Sequence, residues 1–200
     1  LSDLPSRLSL DDKIKIFEDM VFGWQLEIAD QIINGKRDKQ GKIIREPIPD
    51  SGYAVLSIVL SYFEMISKFQ EGYCGENKSK EYFEKGVRSV FPELNKYNPR
   101  GVNIVLDVLW KGVRCGLYHQ SSTSKGIGLT ASINYPLVFN PRNSKLIINP
   151  HRLVPYLKKH FGDYISQLKN VKNKELRENF DQRFEYSRRD PNVKTGSTGL

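Results

Sequence analysis

Two cysteines, Cys74 and Cys115, are all that the 200 residues contain, and neither has a second cysteine at metal-ligand spacing. That excludes a disulfide framework and makes a reducing cytoplasm the expected setting. Long apolar runs are equally missing. No stretch approaches the roughly 18 apolar residues of a membrane span, and Leu1 to Asp12 lacks the basic-then-apolar pattern of a signal peptide. A soluble, cytoplasmic protein with no membrane partner is therefore expected. Phosphate-binding glycine loops are absent too. There is no P-loop and no Gly-x-Ser-x-Gly elbow, and Gly126-Ile127-Gly128 lacks the third glycine and preceding strand of a dinucleotide fingerprint. Of the histidines His119, His151 and His160, no two stand three or four residues apart, so no metal and no cofactor is expected. His151, opening a helix, and His160, beside Lys158 and Lys159, read as surface residues.

Acidic residues are scarce in one half only. Residues 1–100 carry 15 basic and 16 acidic side chains and residues 101–200 carry 16 and 7, so the halves net −1 and +9. One-sided charge of this kind draws polyanions and raises their encounter rate, which brings RNA or a nucleotide forward as a partner. A solvated basic surface satisfies the same arithmetic. Hydrophobic residues at 38% and charged residues at 27% belong to a globular chain, and at this length a single domain buries about 70% of its unfolded surface.

Helical spacing dominates the pattern. Ser9 with Asp12 resembles a capping box, and Ile14, Phe17, Val21, Trp24, Ile28 and Ile32 predict an amphipathic helix over about 10–34, ended by Gly35. Residues 36–42 read as a polar basic loop. Val55, Val59, Tyr62, Ile66 and Phe69 predict a helix over 52–71, and Tyr82, Phe83, Val87 and Val90 another over 79–90, stopped before Pro92. Glu64, on the polar side of the second helix, is either an exposed face residue or the partner of a basic neighbour. Asn98-Pro99 opens a fourth helix over 100–119, carrying Val102, Val105, Leu106, Leu109, Val113 and Leu117. Residues 120–128 are loop-like. Runs at 133–139 and 145–148 predict a β-hairpin with Pro136 at an edge or bend. Helices over 150–168 and 174–187 close the chain. The expected fold is mainly α, a helical bundle with a small β-hairpin insertion in the C-terminal half. It forms one domain over 1–190, and 191–200 reads as a flexible tail.

Chemistry concentrates at the end of the fourth helix, in Val113-Arg114-Cys115-Gly116-Leu117-Tyr118-His119. Arg114 is a permanent planar cation suited to phosphate oxygens, and His119 exchanges a proton near neutral pH. The pair suffices in principle to cleave a phosphodiester without metal. Five α-helical steps leave the two side chains about 140° apart around the axis, so convergence needs local loosening at Gly116 or a second copy of the chain. An Arg and a His in the last turns also answer the helix dipole, so a capping role fits the same spacing. Asp107, seven residues before Arg114, is placed to orient it. Lys111 and Lys125 are placed to neutralise RNA phosphates, Tyr118 to stack on a base or pack in a dimer seam, and Cys115 reads as a buried structural thiol.

Arg114 to His119, at the end of a helix in a helical context, resembles the R-x4-6-H motif of the HEPN superfamily (higher eukaryotes and prokaryotes nucleotide-binding domains). The segment Val-Arg-Cys-Gly-Leu-Tyr-His-Gln is similar to a group of bacterial HEPN-like proteins. Cys115 stands where many active members carry Asn or Asp. The resemblance implies a helical bundle, a homodimer with two motifs facing one another, and a metal-independent endoribonuclease of toxin or phage-defence systems that cleaves by 2′-OH attack, with Arg114 and His119 as its catalytic pair. It equally accommodates a non-catalytic RNA- or nucleotide-binding or dimerisation module in a regulatory complex.

Overall fold

A computed structural model describes residues 8–75, 77–140 and 143–188. The expected tail over 191–200 lies outside the described residues. Within them the chain is mainly helical, with two small β-sheets.

Helix α1 covers 10–34 as three continuous segments, Leu10–Glu18, a π-helical stretch Asp19–Leu26, and Glu27–Asn34. Its start is a capping box: the Asp12 N–H donates to Ser9 Oγ at 3.1 Å and the Ser9 N–H donates to the Asp12 carboxylate at 3.2 Å. The π stretch corrects the apolar stripe. Buried positions run Ile14, Phe17, Val21, Leu26, Ala29 and Ile33, with a five-residue step from Val21 to Leu26. That wider step turns Trp24 (70% exposed) and Ile28 (45%) out to solvent, where an uninterrupted α-helical period had placed them inside.

The remaining helices are α2 over 52–70, α3 (Ser79–Val90), α4 over 99–120, α5 (Pro150–Lys169) and α6 (Lys174–Arg188). A 3-10 turn, Pro92–Lys96, follows α3. Helix α4 also contains a π stretch, Val108–Cys115, between Pro99–Asp107 and Gly116–Gln120. Phenylalanines join the layers. The Phe17 ring meets Phe69, Phe161 and Phe180 at centroid distances of 4.2, 5.6 and 5.4 Å, tying α1 to α2, α5 and α6. Phe83 meets Phe63 at 5.5 Å and Trp110 at 5.3 Å, tying α3 to α2 and α4. Helices α2 and α3 touch backbone to backbone at Gly86, where a Cβ would stand 1.7 Å from the Phe63 carbonyl oxygen.

The strands are β1 (Lys36–Arg37), β2 (Ile43–Arg45), β3 (Ile127–Leu129), β4 (Leu137–Asn140) and β5 (Lys145–Ile148). The basic segment expected as a loop is thus part of an antiparallel hairpin, Lys36 opposite Arg45, entered through Gly35 at φ 74°. The expected hairpin is β4–β5, antiparallel, and β3 joins it in parallel on the other side of β5. β3 went unforeseen because three residues containing a glycine carry no legible alternation.

His160 is not a surface residue. It is half-buried between α2 and α3, with Nδ1 2.7 Å from the Tyr62 hydroxyl and Nε2 3.2 Å from Ser89 Oγ. Burial holds its pKa below the usual 6.5. His151 is half-buried, with Nδ1 2.8 Å from Asn34 Oδ1.

Candidate nucleic-acid site at the end of α4

Arg114 lies in the π stretch of α4 and is held from three sides. Its guanidinium carbon stands 4.6 Å from the Trp110 ring centre and 4.9 Å from that of Tyr118, so one cation spans two aromatic rings spaced four residues to either side. Trp110 is itself braced edge-on by Phe83 at 5.3 Å. The third support crosses from α2, where Glu64 Oε2 is 3.7 Å from Arg114 Nη2. Glu64 is also bonded by Lys68 at 2.6 Å, one turn further along α2. The Arg114 side chain is left 26% exposed and Glu64 18%. The cation is therefore oriented while part of its surface faces solvent.

Glu64, not Asp107, is the carboxylate on Arg114. Asp107 binds Lys80 and Lys111, each at 3.0 Å, and these hydrogen bonds, Lys111 first, hold its pKa below the usual carboxylate value. The reason is geometric. The wider π turns intervene between residues 107 and 114, so the α-helical arithmetic that put both on one face does not apply. Lys111, expected to serve phosphates, is exposed and engaged by Asp107. Lys125 is exposed in the following turn and makes no ion pair among the described residues.

His119 sits in the last α-helical turn, exposed, and its side chain makes no hydrogen bond, ion pair or ring contact among the described residues. No hydrogen bond links it to Arg114 within the chain. Gly116 does not loosen the helix, since its φ −58° and ψ −48° are α-helical. Its role is close approach. A Cβ there would stand 2.5 Å from the Ser122 carbonyl oxygen, so the chain after His119 folds back flat against α4. Ser121 makes the reversal at φ 53°, and the Ser124 N–H donates to the Gly112 carbonyl at 2.9 Å. Tyr53 of α2 reaches the same loop, its hydroxyl 3.4 Å from Thr123 Oγ1. Tyr118 is 54% exposed, and Cys115 is a half-buried free thiol rather than a fully buried one.

The resulting surface carries a braced guanidinium, an exposed imidazole, two tyrosines and a lysine. Trp110 was not singled out from sequence, although the spacing of aromatic, arginine and aromatic at 110, 114 and 118 was there to read. Among the described residues no group of three or more His, Cys, Asp or Glu side chains could hold a metal ion. None of the described helices is long and apolar enough to cross a membrane. In comparisons with known proteins, no family model, curated protein or solved structure matches the chain.

Proposed function

We propose that this protein is a metal-independent endoribonuclease of the HEPN type, working in the cytoplasm as a homodimer in a toxin or phage-defence setting. The observation that carries this reading is the Arg114 guanidinium, clamped by Trp110, Tyr118 and Glu64, on the same terminal turns as His119, whose side chain is exposed and has no partner among the described residues. Arg114 stabilises charge on the non-bridging phosphate oxygens. His119 of one copy takes the ribose 2′-OH proton, the 2′ oxygen attacks phosphorus, and His119 of the second copy protonates the departing 5′ oxygen, leaving a cyclic phosphate. Two copies are needed because one imidazole cannot accept and donate at the same moment, and because a single chain does not bring Arg114 against His119. Lys125 supplies backbone neutralisation and Tyr118 a stacking surface for an unpaired base.

The test is cleavage of single-stranded RNA by the purified protein in excess chelator. His119→Ala is expected to lower the rate by about 100-fold or more; equal cleavage by wild type and variant overturns the assignment. One observation favours a second reading, a non-catalytic RNA- or nucleotide-binding module: Glu64 offsets part of the Arg114 charge. That reading gives salt-sensitive RNA binding without turnover.

A further inference from the structure

A cavity of about 470 Å3 opens at the far end of α4, between its first turns, the 3-10 turn and strand β4. Leu137, Val138 and Phe139 all line it. Successive side chains of a strand point to opposite faces, so a cavity lined by three in a row meets β4 along its edge.

Among the described residues, that edge has hydrogen-bonding groups with no partner. β5 flanks β4 on one side only, the sheet order being β3-β5-β4. The Leu146 N–H donates to the Gly126 carbonyl at 3.1 Å and the Ile148 carbonyl accepts from Thr130 at 3.0 Å, so these residues serve β3. The Asn149 N–H donates to the Pro136 carbonyl at 2.9 Å. Antiparallel alternation then assigns Val138, opposite Ile147, to the β4–β5 ladder and turns the N–H and C=O of Leu137 and Phe139 to the open side. The segment leading into the edge is also tied down. Asn149, 1% exposed, donates from its side chain to the Ile133 and Ala131 carbonyls at 2.6 and 3.2 Å, fixing the approach to β4.

The facing wall is apolar, with Tyr97 exposed and Gly101 half-buried on it and Val102 and Val105 of α4 almost wholly buried, and among the described residues Glu93 is the one charged residue lining the cavity. A strand edge facing a helix across an apolar groove is the arrangement by which extended peptides are bound through strand addition. Among the described residues, a single lining carboxylate and no lining cation suit one basic side chain and oppose a phosphate backbone.

We propose that this groove binds an extended segment of a partner protein, which adds to β4 as a new edge strand through Leu137 and Phe139, rests apolar side chains on Tyr97 and over Gly101, and sets one basic side chain at Glu93. The site lies at the opposite end of α4 from Arg114 and His119 and stands independently of the nuclease reading.

The test uses the full chain, isotope-labelled, titrated with acetylated and amidated hexapeptides that are apolar at alternate positions and carry Arg, Gln or Glu at one intervening position. The Arg peptides are expected to bind saturably and to protect the Leu137 and Phe139 amides from hydrogen exchange, while the same peptides N-methylated on the pairing edge do not bind. Gly101→Phe plugs the groove. A Cβ at Gly101 meets nothing nearer than Asn98 Oδ1 at 3.7 Å, so the fold is kept and affinity falls by about tenfold or more. Glu93→Lys is expected to reverse the preference from Arg to Glu peptides. The proposal is overturned if no peptide binds at millimolar concentration, if peptides bind without protecting Leu137 and Phe139, or if single-stranded RNA rather than peptide protects those amides.

Discussion

Arg114 and Glu64 meet at 3.7 Å across the α4–α2 contact, and Lys68 takes the Glu64 carboxylate at 2.6 Å on the other side. The acid thus links a buried lysine to the cation that the proposed reaction uses. Its own low exposure keeps the pair from being screened as a surface pair is.

Glu64→Gln keeps the shape and removes the charge. Arg114 loses its anchor on α2 while retaining both rings, so RNA cleavage is expected to fall by about 10- to 100-fold through misplacement. Single-turnover assays read the loss, and an unchanged far-UV circular dichroism spectrum separates it from unfolding.

Arg114→Lys retains the charge and loses the planar group that lies over Trp110 and Tyr118. Cleavage is expected to fall about 100-fold, with RNA affinity at low salt changed much less. Competition binding beside the kinetic assay checks the split.

His160 makes stability depend on pH. Its folded pKa lies below 6.5 because burial between Tyr62 and Ser89 disfavours the imidazolium. The unfolded chain therefore binds the proton first. The stability linked to this residue is fully present above about pH 6.5 and is lost as pH falls through 6.5 towards the lower folded value. Urea midpoints between pH 8 and 5 are expected to fall with pH for the wild type and to flatten in that window for His160→Gln.

Two glycines separate stability from site geometry. In Gly86→Ala the new methyl group collides with the Phe63 carbonyl, 1.7 Å away, and the cost is expected to be about 3 kcal/mol or more because neither backbone can yield. In Gly116→Ala the methyl group meets the Ser122 carbonyl at 2.5 Å. That displaces an exposed loop instead of a core helix, at about 1 kcal/mol, and lowers RNA cleavage more than it lowers the melting temperature.

Helix boundaries were legible because the relevant signals are local. Ser9 with Asp12, Asn98 with Pro99, and Asn149 with Pro150 cap the helices they were read to cap. Two of the misreadings share one origin, the assumption of a uniform 3.6-residue turn. Trp24 and Ile28 fell on the wrong side of α1, and Asp107 on the wrong side of Arg114, because each helix contains a π stretch. A π turn is retained by packing around it and leaves no periodic mark in the residues themselves.

The amino-acid order by itself determined six helical segments, the β4–β5 hairpin and the placement of Arg114 and His119 in the last turns of α4, since caps, turn residues and apolar spacing act within a few positions of the chain. Only the tertiary structure decided that Glu64 anchors Arg114, that His160 is half-buried against Tyr62 and Ser89, and that β4 leaves an open edge over a groove. Each of those depends on which elements become neighbours, and the α2–α4 contact, the burial of α5 and the sheet order follow from collective packing that no single stretch of the chain encodes.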